Sequence, residues 1–246
     1  MERDVKGLCL VLKTENTGER DRLLTLFSPS LGMLRCRVYG AQKSKKAAQR
    51  PLYSEGNFSL YSVPEKHQWS YKDSDIIAER HEILEDLDRT VAASLFSELI
   101  MTSRSEDPYL YELISGAFDR LTVGEDWRRV TISFVVKFLS FFGTLPGFSE
   151  CPVCQKVYDE REVLGYNDRE GTPCCSACDT AEGAMLLPPN ARRFLGRTLE
   201  VEFGDTFLLG ISEVMTERIF RYVLRLLMRS YPTGLKTLSS GLWSTV

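Results

Sequence analysis

Val5-Lys6-Gly7-Leu8-Cys9-Leu10-Val11-Leu12-Lys13 is apolar, with β-branched residues, and reads as a strand. Leu23 to Phe27 is a second short apolar run. The turn Ser28-Pro29-Ser30-Leu31-Gly32 follows it, and Met33 to Tyr39 then alternates apolar with polar or basic residues. Phe58 to Val63 and Trp69 to Ile77 complete the set. Five short strands separated by turn residues predict a small barrel or sandwich. An antiparallel sheet belonging to a larger domain would give the same pattern.

From about Asp88 the apolar period changes from two to 3.6. Val91, Leu95, Phe96, Leu99 and Ile100 share one helical face. Leu110, Leu113, Ile114, Ala117, Phe118 and Leu121 share another. Trp127 to Phe142 is apolar over a wider arc, which predicts a central, mostly buried helix ended by Gly143 and Pro146. Pro189 to Leu199 reads as a short helix. Ser212 to Tyr231 reads as a long one that stops before Pro232. The expected organisation is an α+β chain in two domains, 1–80 and 81–246, with an insertion at about 148–182.

The chain has 246 residues, 43% hydrophobic and 26% charged, which suits one or two soluble domains. The N-terminal run has no basic segment followed by a long apolar one, so no secretory signal is expected. The most apolar stretch, Ile132 to Phe142, contains Lys137 and is about half the roughly twenty residues that span a bilayer. A reducing, cytoplasmic compartment without membrane attachment is the expectation. There, clustered cysteines point to metal or catalysis rather than to disulfides.

The net charge of −3 divides unevenly. Residues 1–80 carry 14 Lys+Arg against 10 Asp+Glu, a balance of +4; the remaining 17 and 24 give −7. Arg35, Arg37, Lys43, Lys45, Lys46 and Arg50 fall within sixteen residues that hold no acidic side chain. Gly40, Ser44, Ala47 and Ala48 predict a flexible loop in the middle. Such a loop can follow a phosphate backbone by releasing counterions. Tyr39, Tyr53, Phe58, Tyr61, Trp69 and Tyr71 flank it. Bases stack on aromatic side chains in the groove of an OB-type barrel, although strand aromatics serve equally well as core. These six cations are the candidate DNA-binding residues.

Cys151-Pro152-Val153-Cys154 and Cys175-Ser176-Ala177-Cys178 are two C-x2-C knuckles separated by twenty residues. This is the pattern of a four-thiolate zinc site, because each knuckle turns two sulfurs toward one ion that takes four ligands tetrahedrally. Gly165, Asn167, Asp168 and Gly171 predict a short hairpin between them. Cys174 is a rival for Cys175, in a C-x3-C spacing. Cys9 and Cys36 sit in apolar strand patterns as core thiols. Four thiolates close the metal's shell, so a structural Zn2+ is expected. The two histidines, His67 and His81, lie far away in sequence and form neither H-x-E nor H-E-x-x-H. No phosphate-binding glycine loop and no G-x-S-x-G elbow occurs, and no enzyme activity is expected. Arg218, Arg221, Arg225 and Arg229 share one face of the last long helix, as a solvated face or as a surface for an acidic peptide or nucleic acid.

Gly7 to Lys13, Gly18-Glu19-Arg20-Asp21-Arg22-Leu23-Leu24-Thr25-Leu26-Phe27-Ser28-Pro29, Leu31-Gly32 and Gly40-Ala41-Gln42-Lys43-Ser44-Lys45 together resemble the RecO family of bacterial DNA-repair and recombination mediators. The helical part, with Leu145-Pro146-Gly147 ahead of the knuckles, is similar to the zinc-containing C-terminal part of many members. The resemblance implies an N-terminal OB-fold that binds single- and double-stranded DNA, and annealing of complementary strands. It also implies partnership with RecR and with single-stranded-DNA-binding protein, and indirectly with RecA. Tyr39-Gly40-Ala41-Gln42 departs from the family's basic Lys-Gly-Ala-Arg. The alternative is a zinc-stabilised protein-interaction scaffold without DNA contact.

Overall fold

A computed structural model describes residues 4–41, 52–63, 68–183 and 185–240. The first five strands are β1 (Asp4–Thr17), β2 (Asp21–Ser28), β3 (Gly32–Val38), β4 (Glu55–Val63) and β5 (Gln68–Ala78). They close into a barrel in the order β1-β2-β3-β5-β4, with β4 returning to β1. Every pair is antiparallel except β3 with β5. This is the five-stranded OB arrangement expected from the sequence.

Strand β1 makes closure work. Its first half pairs with β4, from Asp4↔Tyr61 to Leu10↔Glu55, and its second half pairs with β2, from Leu10↔Phe27 to Thr17↔Asp21. A bulge between Val11 and Lys13 turns the strand from one sheet into the other. Period-two alternation then selects the barrel's interior. Cys9, Val11, Leu24, Leu26, Leu34, Cys36, Val38, Phe58 and Leu60 form its core. Both cysteines are therefore the core thiols that the strand pattern predicts, and burial raises the Cys9 pKa to about 11.

The chain forms two compact units, Met1–Glu125 and Asp126–Val246. In the first, helices α1 (Leu87–Ser103) and α2 (Pro108–Thr122) accompany the barrel. Asp86 and Asp107 cap them by accepting from the backbone N–H of Arg89 and Tyr109. Every apolar residue that the 3.6 period assigned to their faces is buried. One polar hub lies under α2. Arg80, at φ 56°, has a side chain only 3% exposed. Its guanidinium donates to Glu55 at 2.7 Å, Asp119 at 2.8 Å, Ser115 at 2.9 Å and the Tyr53 carbonyl at 3.1 Å. Glu55 also accepts from Tyr111 and Ser115, each at 2.8 Å. This buried ion pair thus fixes β4 to α2.

In the second unit α3 (Trp127–Phe141) is the buried helix that its wide apolar arc predicts. Helix α4 (Pro189–Glu200) packs beside it, and Lys137 explains its place in an apolar run. Its ammonium donates to the carbonyls of Leu199 and Val201, at the C-terminal end of α4 where carbonyls lack helical partners. Helix α5 (Glu213–Ser230), capped by Ser212, packs on α3, with Trp127 and Phe220 edge to face at 5.1 Å. A two-stranded hairpin, β6 (Gly165–Asn167) and β7 (Thr172–Cys174), lies in the insertion, and a short α6 (Lys236–Ser239) follows α5. Among the described residues no helix is long and apolar enough to cross a membrane.

Candidate metal centre and nucleic-acid face

The insertion builds its metal site from two turns. In the first, Cys151 N–H donates to the Lys156 carbonyl and Gln155 N–H to the Cys151 carbonyl, each at 2.8 Å. Gln155 adopts φ 63°, which completes the tight turn. In the second, a 3-10 turn over Ser176–Cys178 follows β7, and the Asn167 side-chain amide holds the Cys178 carbonyl at 2.8 Å. Tyr158 joins the two halves by donating its hydroxyl to the Pro173 carbonyl at 3.1 Å.

These turns bring the sulfurs of Cys151, Cys154, Cys175 and Cys178 within 4.8 Å of one another. Cys151 and Cys175 are buried. Cys174 stands outside the group: it lies on β7 opposite Gly165 and is fully buried, so it packs as a small apolar side chain. Alternation along the strand separates the neighbours, because successive side chains point to opposite faces. Burial, reinforced by the charges of Asp179 and the neighbouring thiols, raises the Cys174 pKa to about 12. At Cys151 burial pushes the thiol up, but hydrogen bonds from the backbone of Cys175, Cys154 and Val153 bring it down to about 6. Burial and the adjacent thiols push Cys178 up to about 12. The Cys151 thiolate therefore forms readily, while those of Cys154 and Cys178 are opposed by the neighbouring thiols, an imbalance that a bound cation relieves. Four soft sulfur donors in this geometry fit a metal ion that accepts a closed tetrahedral thiolate shell.

The barrel offers the second candidate surface. Arg35 and Arg37 lie on the outer face of β3, across from Thr25 and Leu23 of β2. Arg35 is exposed. Arg37 is half-buried and paired with Asp21 at 2.9 Å, and its guanidinium lies 5.2 Å from the Tyr39 ring. A hydrogen bond from the Gly40 backbone, with help from Arg37, holds the Asp21 carboxyl below the usual range. Lys43, Lys45, Lys46 and Arg50 lie outside the described residues. Arg20, not among the residues picked from sequence, is exposed on the β1–β2 turn, beside Asp21.

The six aromatics divide. Tyr53 and Phe58 are buried, Tyr53 bonded to Ser94 and Phe58 in the barrel core. Trp69 and Tyr71 pack against that core. Tyr39, 56% exposed, and Tyr61, with Lys72 5.4 Å from its ring, present faces on the outside.

The arginine face of α5 also divides. Arg229 donates to the Arg169 carbonyl and lies over Gly171, where a Cβ would sit 2.5 Å from its Nε. It therefore holds the hairpin tip. Arg218, Arg221 and Arg225 instead line a cavity of about 520 Å3. Met185, Leu186 and Val214 give it apolar walls, and Tyr222 forms part of its lining. The Tyr222 hydroxyl is buried without a hydrogen-bond partner among the described residues. Arg221 pairs with Glu217 at 2.8 Å.

Comparison with known proteins divides the chain after the barrel. Residues 1–79 match the family model "Recombination protein O N terminal", and residues 84–239 match "Recombination protein O C terminal". Proteins named DNA repair protein RecO from Bacillus cereus (strain AH187), Bacillus thuringiensis subsp. konkukian (strain 97-27) and Bacillus anthracis are each 28% identical over 181 residues. The match covers 72% of this chain and 70% of each relative. With a closed barrel in front and a four-cysteine helical part behind, both halves matched in order, the chain belongs to the recombination protein O family, and its role lies in DNA repair and recombination.

Proposed function

We propose that the chain is a DNA-binding recombination mediator that anneals complementary single strands and helps load recombinase onto strands coated by single-stranded-DNA-binding protein. It binds single- and double-stranded DNA through Arg35, Arg37, Lys43, Lys45, Lys46 and Arg50. The observation that carries this reading is the outer β2–β3 face of the barrel, where exposed Arg35 stands beside a guanidinium–tyrosine pair. In OB-folds that face and the β1–β2 loop hold oligonucleotides. Tyr39 supplies a ring for base stacking and Arg20 a further cation at the loop. The chemistry is proximity alone: neutralised phosphates let two strands approach, and no bond is made or broken.

The four cysteines hold one structural Zn2+, which supplies charge neutralisation and folding energy to the insertion. RecR and single-stranded-DNA-binding protein are the protein partners, RecA is reached indirectly, and the protein works in the cytoplasm. An acidic peptide from such a partner docks in the α5 cavity. Three arginines there face apolar walls at Met185, Leu186 and Val214, and the one acidic lining residue, Glu217, is already paired with Arg221 and Arg128, which leaves a net positive pocket suited to carboxylates beside an apolar side chain.

Single-stranded DNA affinity across a salt series tests the reading. Each phosphate neutralised on a single strand contributes a slope of about −0.7, so six contacts give about −4. Lys43/Lys45/Lys46→Ala should flatten the slope by about 2 and slow annealing. An unchanged slope and unchanged annealing would reject this surface.

A further inference from the structure

The α5 cavity is not built by α5 alone. Its opposite wall, Gly183, Met185 and Leu186, belongs to the segment that leaves the second cysteine knuckle. Asp179, the residue after Cys178, holds that segment. Its carboxylate accepts from the backbone N–H of Ala181 at 2.9 Å, of Gly183 at 3.1 Å and of Tyr166 at 3.3 Å. The carboxylate lies over Gly165, where a Cβ would fall 2.4 Å from Asp179 Cγ, so only glycine leaves it room. A pair of backbone bonds closes the same loop, from Thr180 and Ala181 to the Tyr166 carbonyl.

Two further links run from this hairpin to α5. The Tyr166 ring packs edge to face on Tyr222 at 6.3 Å, and Tyr222 lines the cavity with its hydroxyl unpartnered. Arg229 binds the hairpin tip at Arg169. The hairpin has only three residues in each strand, and such a ribbon is not stable on its own in water. The cysteine cluster at its foot is therefore a main support of the wall, beside the Leu164–Leu187 backbone pair at 2.9 and 3.0 Å.

We propose that the metal-held hairpin is a removable wall of the α5 cavity, so that an acidic peptide with apolar side chains binds there tightly only while the cysteine cluster is metal-loaded. This rests on the acidic-peptide reading of the cavity given above. The cluster then couples metal status to partner binding and leaves the DNA face of the barrel untouched.

The test uses the full chain and a fluorescein-labelled Leu-Asp-Asp-Leu-Asp-Asp peptide, read by anisotropy beside the zinc content of each sample. Removing zinc with a chelator should weaken the peptide by about ten- to hundred-fold, the effect of losing one well-buried apolar contact, and added Zn2+ should restore it. Single-stranded DNA affinity should stay within about two-fold, as for independent sites. Asp179→Ala keeps all four thiols and should weaken the peptide even in samples with stoichiometric zinc. Equal peptide affinity with and without zinc, while Arg218→Glu/Arg225→Glu abolishes binding, would overturn the wall and leave the acidic-peptide reading standing. Wild-type peptide affinity in zinc-loaded Asp179→Ala would also overturn the wall. No binding by the zinc-loaded protein, or equal binding of an Asn-for-Asp peptide, would overturn the reading and the proposal with it.

Discussion

The barrel unit and the cysteine insertion solve the same problem by different physics. The barrel closes on itself, with β3 meeting β5 at Cys36↔Trp69 and Arg37↔Ser70, and buries a continuous hydrocarbon core from Cys9 to Leu60. A costly feature, the Arg80–Glu55–Asp119 cluster, is repaid by hydrogen bonds on nearly every side. The insertion has two three-residue strands and a small core of Leu164, Tyr166, Cys174 and Leu187, with four sulfurs gathered beside it. A unit held by area loses stability gradually, one side chain at a time. A unit held by one ion, as we propose for the insertion, is present or absent.

Metal removal should break the comparison most visibly. Chelation, or Cys151→Ser with Cys175→Ser, is expected to abolish hydrogen-exchange protection over about residues 148–187, while β1 to β5 stay protected. Uniform loss in both units would mean that the insertion supports the barrel too.

The next largest effect belongs to the polar hub. Arg80→Ala strands Glu55 under α2 and should cost about 3–5 kcal/mol of the first unit's stability, read by denaturant midpoint. Arg80→Ala/Glu55→Ala should cost less than the sum of the two single changes, because neither charge is then left alone.

Acid sharpens the same contrast. Burial opposes ionisation of Glu55, but hydrogen bonds from Ser115, Tyr111 and Arg80 outweigh it and hold its carboxyl below the ordinary glutamate range. A depressed carboxylate stabilises the folded state above its unfolded pKa, about 4.3, and that contribution is lost as pH falls through the lower folded value. Glu55→Gln should remove this part of the first unit's acid sensitivity, as measured by thermal melts between pH 3 and 6, roughly the span of that titration.

The smallest expected effect is at Arg221. Its pair with Glu217 is exposed and one helical turn long, so Arg221→Ala should change stability by no more than about 0.5 kcal/mol. If peptide affinity nevertheless falls, the side chain serves the cavity rather than the fold.

Much of this was legible in residue order. The period-two runs placed all five strands, and the apolar faces of α1 and α2 were named residue by residue, because sterics and side-chain spacing are local. The knuckles were legible because a C-x2-C turn is itself a local structure. The limits are equally specific. The sequence boundary at residue 80, drawn from the change of period, coincides with the division between the two family-model matches, while compactness groups α1 and α2 with the barrel. Tyr53 and Tyr39 are indistinguishable as letters, yet one is in the core and the other on the surface. Arg229 shares a helical face with Arg218, Arg221 and Arg225 but is held by a hairpin sixty residues earlier in the chain.

The sequence by itself determined the strands, the helices, the basic front of the chain and the two cysteine knuckles, since each depends on neighbours within a few residues. Only the tertiary structure decided which sulfur of Cys174 and Cys175 meets the others, and which aromatics remain free to stack. It alone showed that Arg37 is paired while Arg35 is not, among the described residues. It also formed the α5 cavity from two segments that no spacing rule connects. Contacts between distant segments depend on how the chain packs in three dimensions, and no local pattern records that.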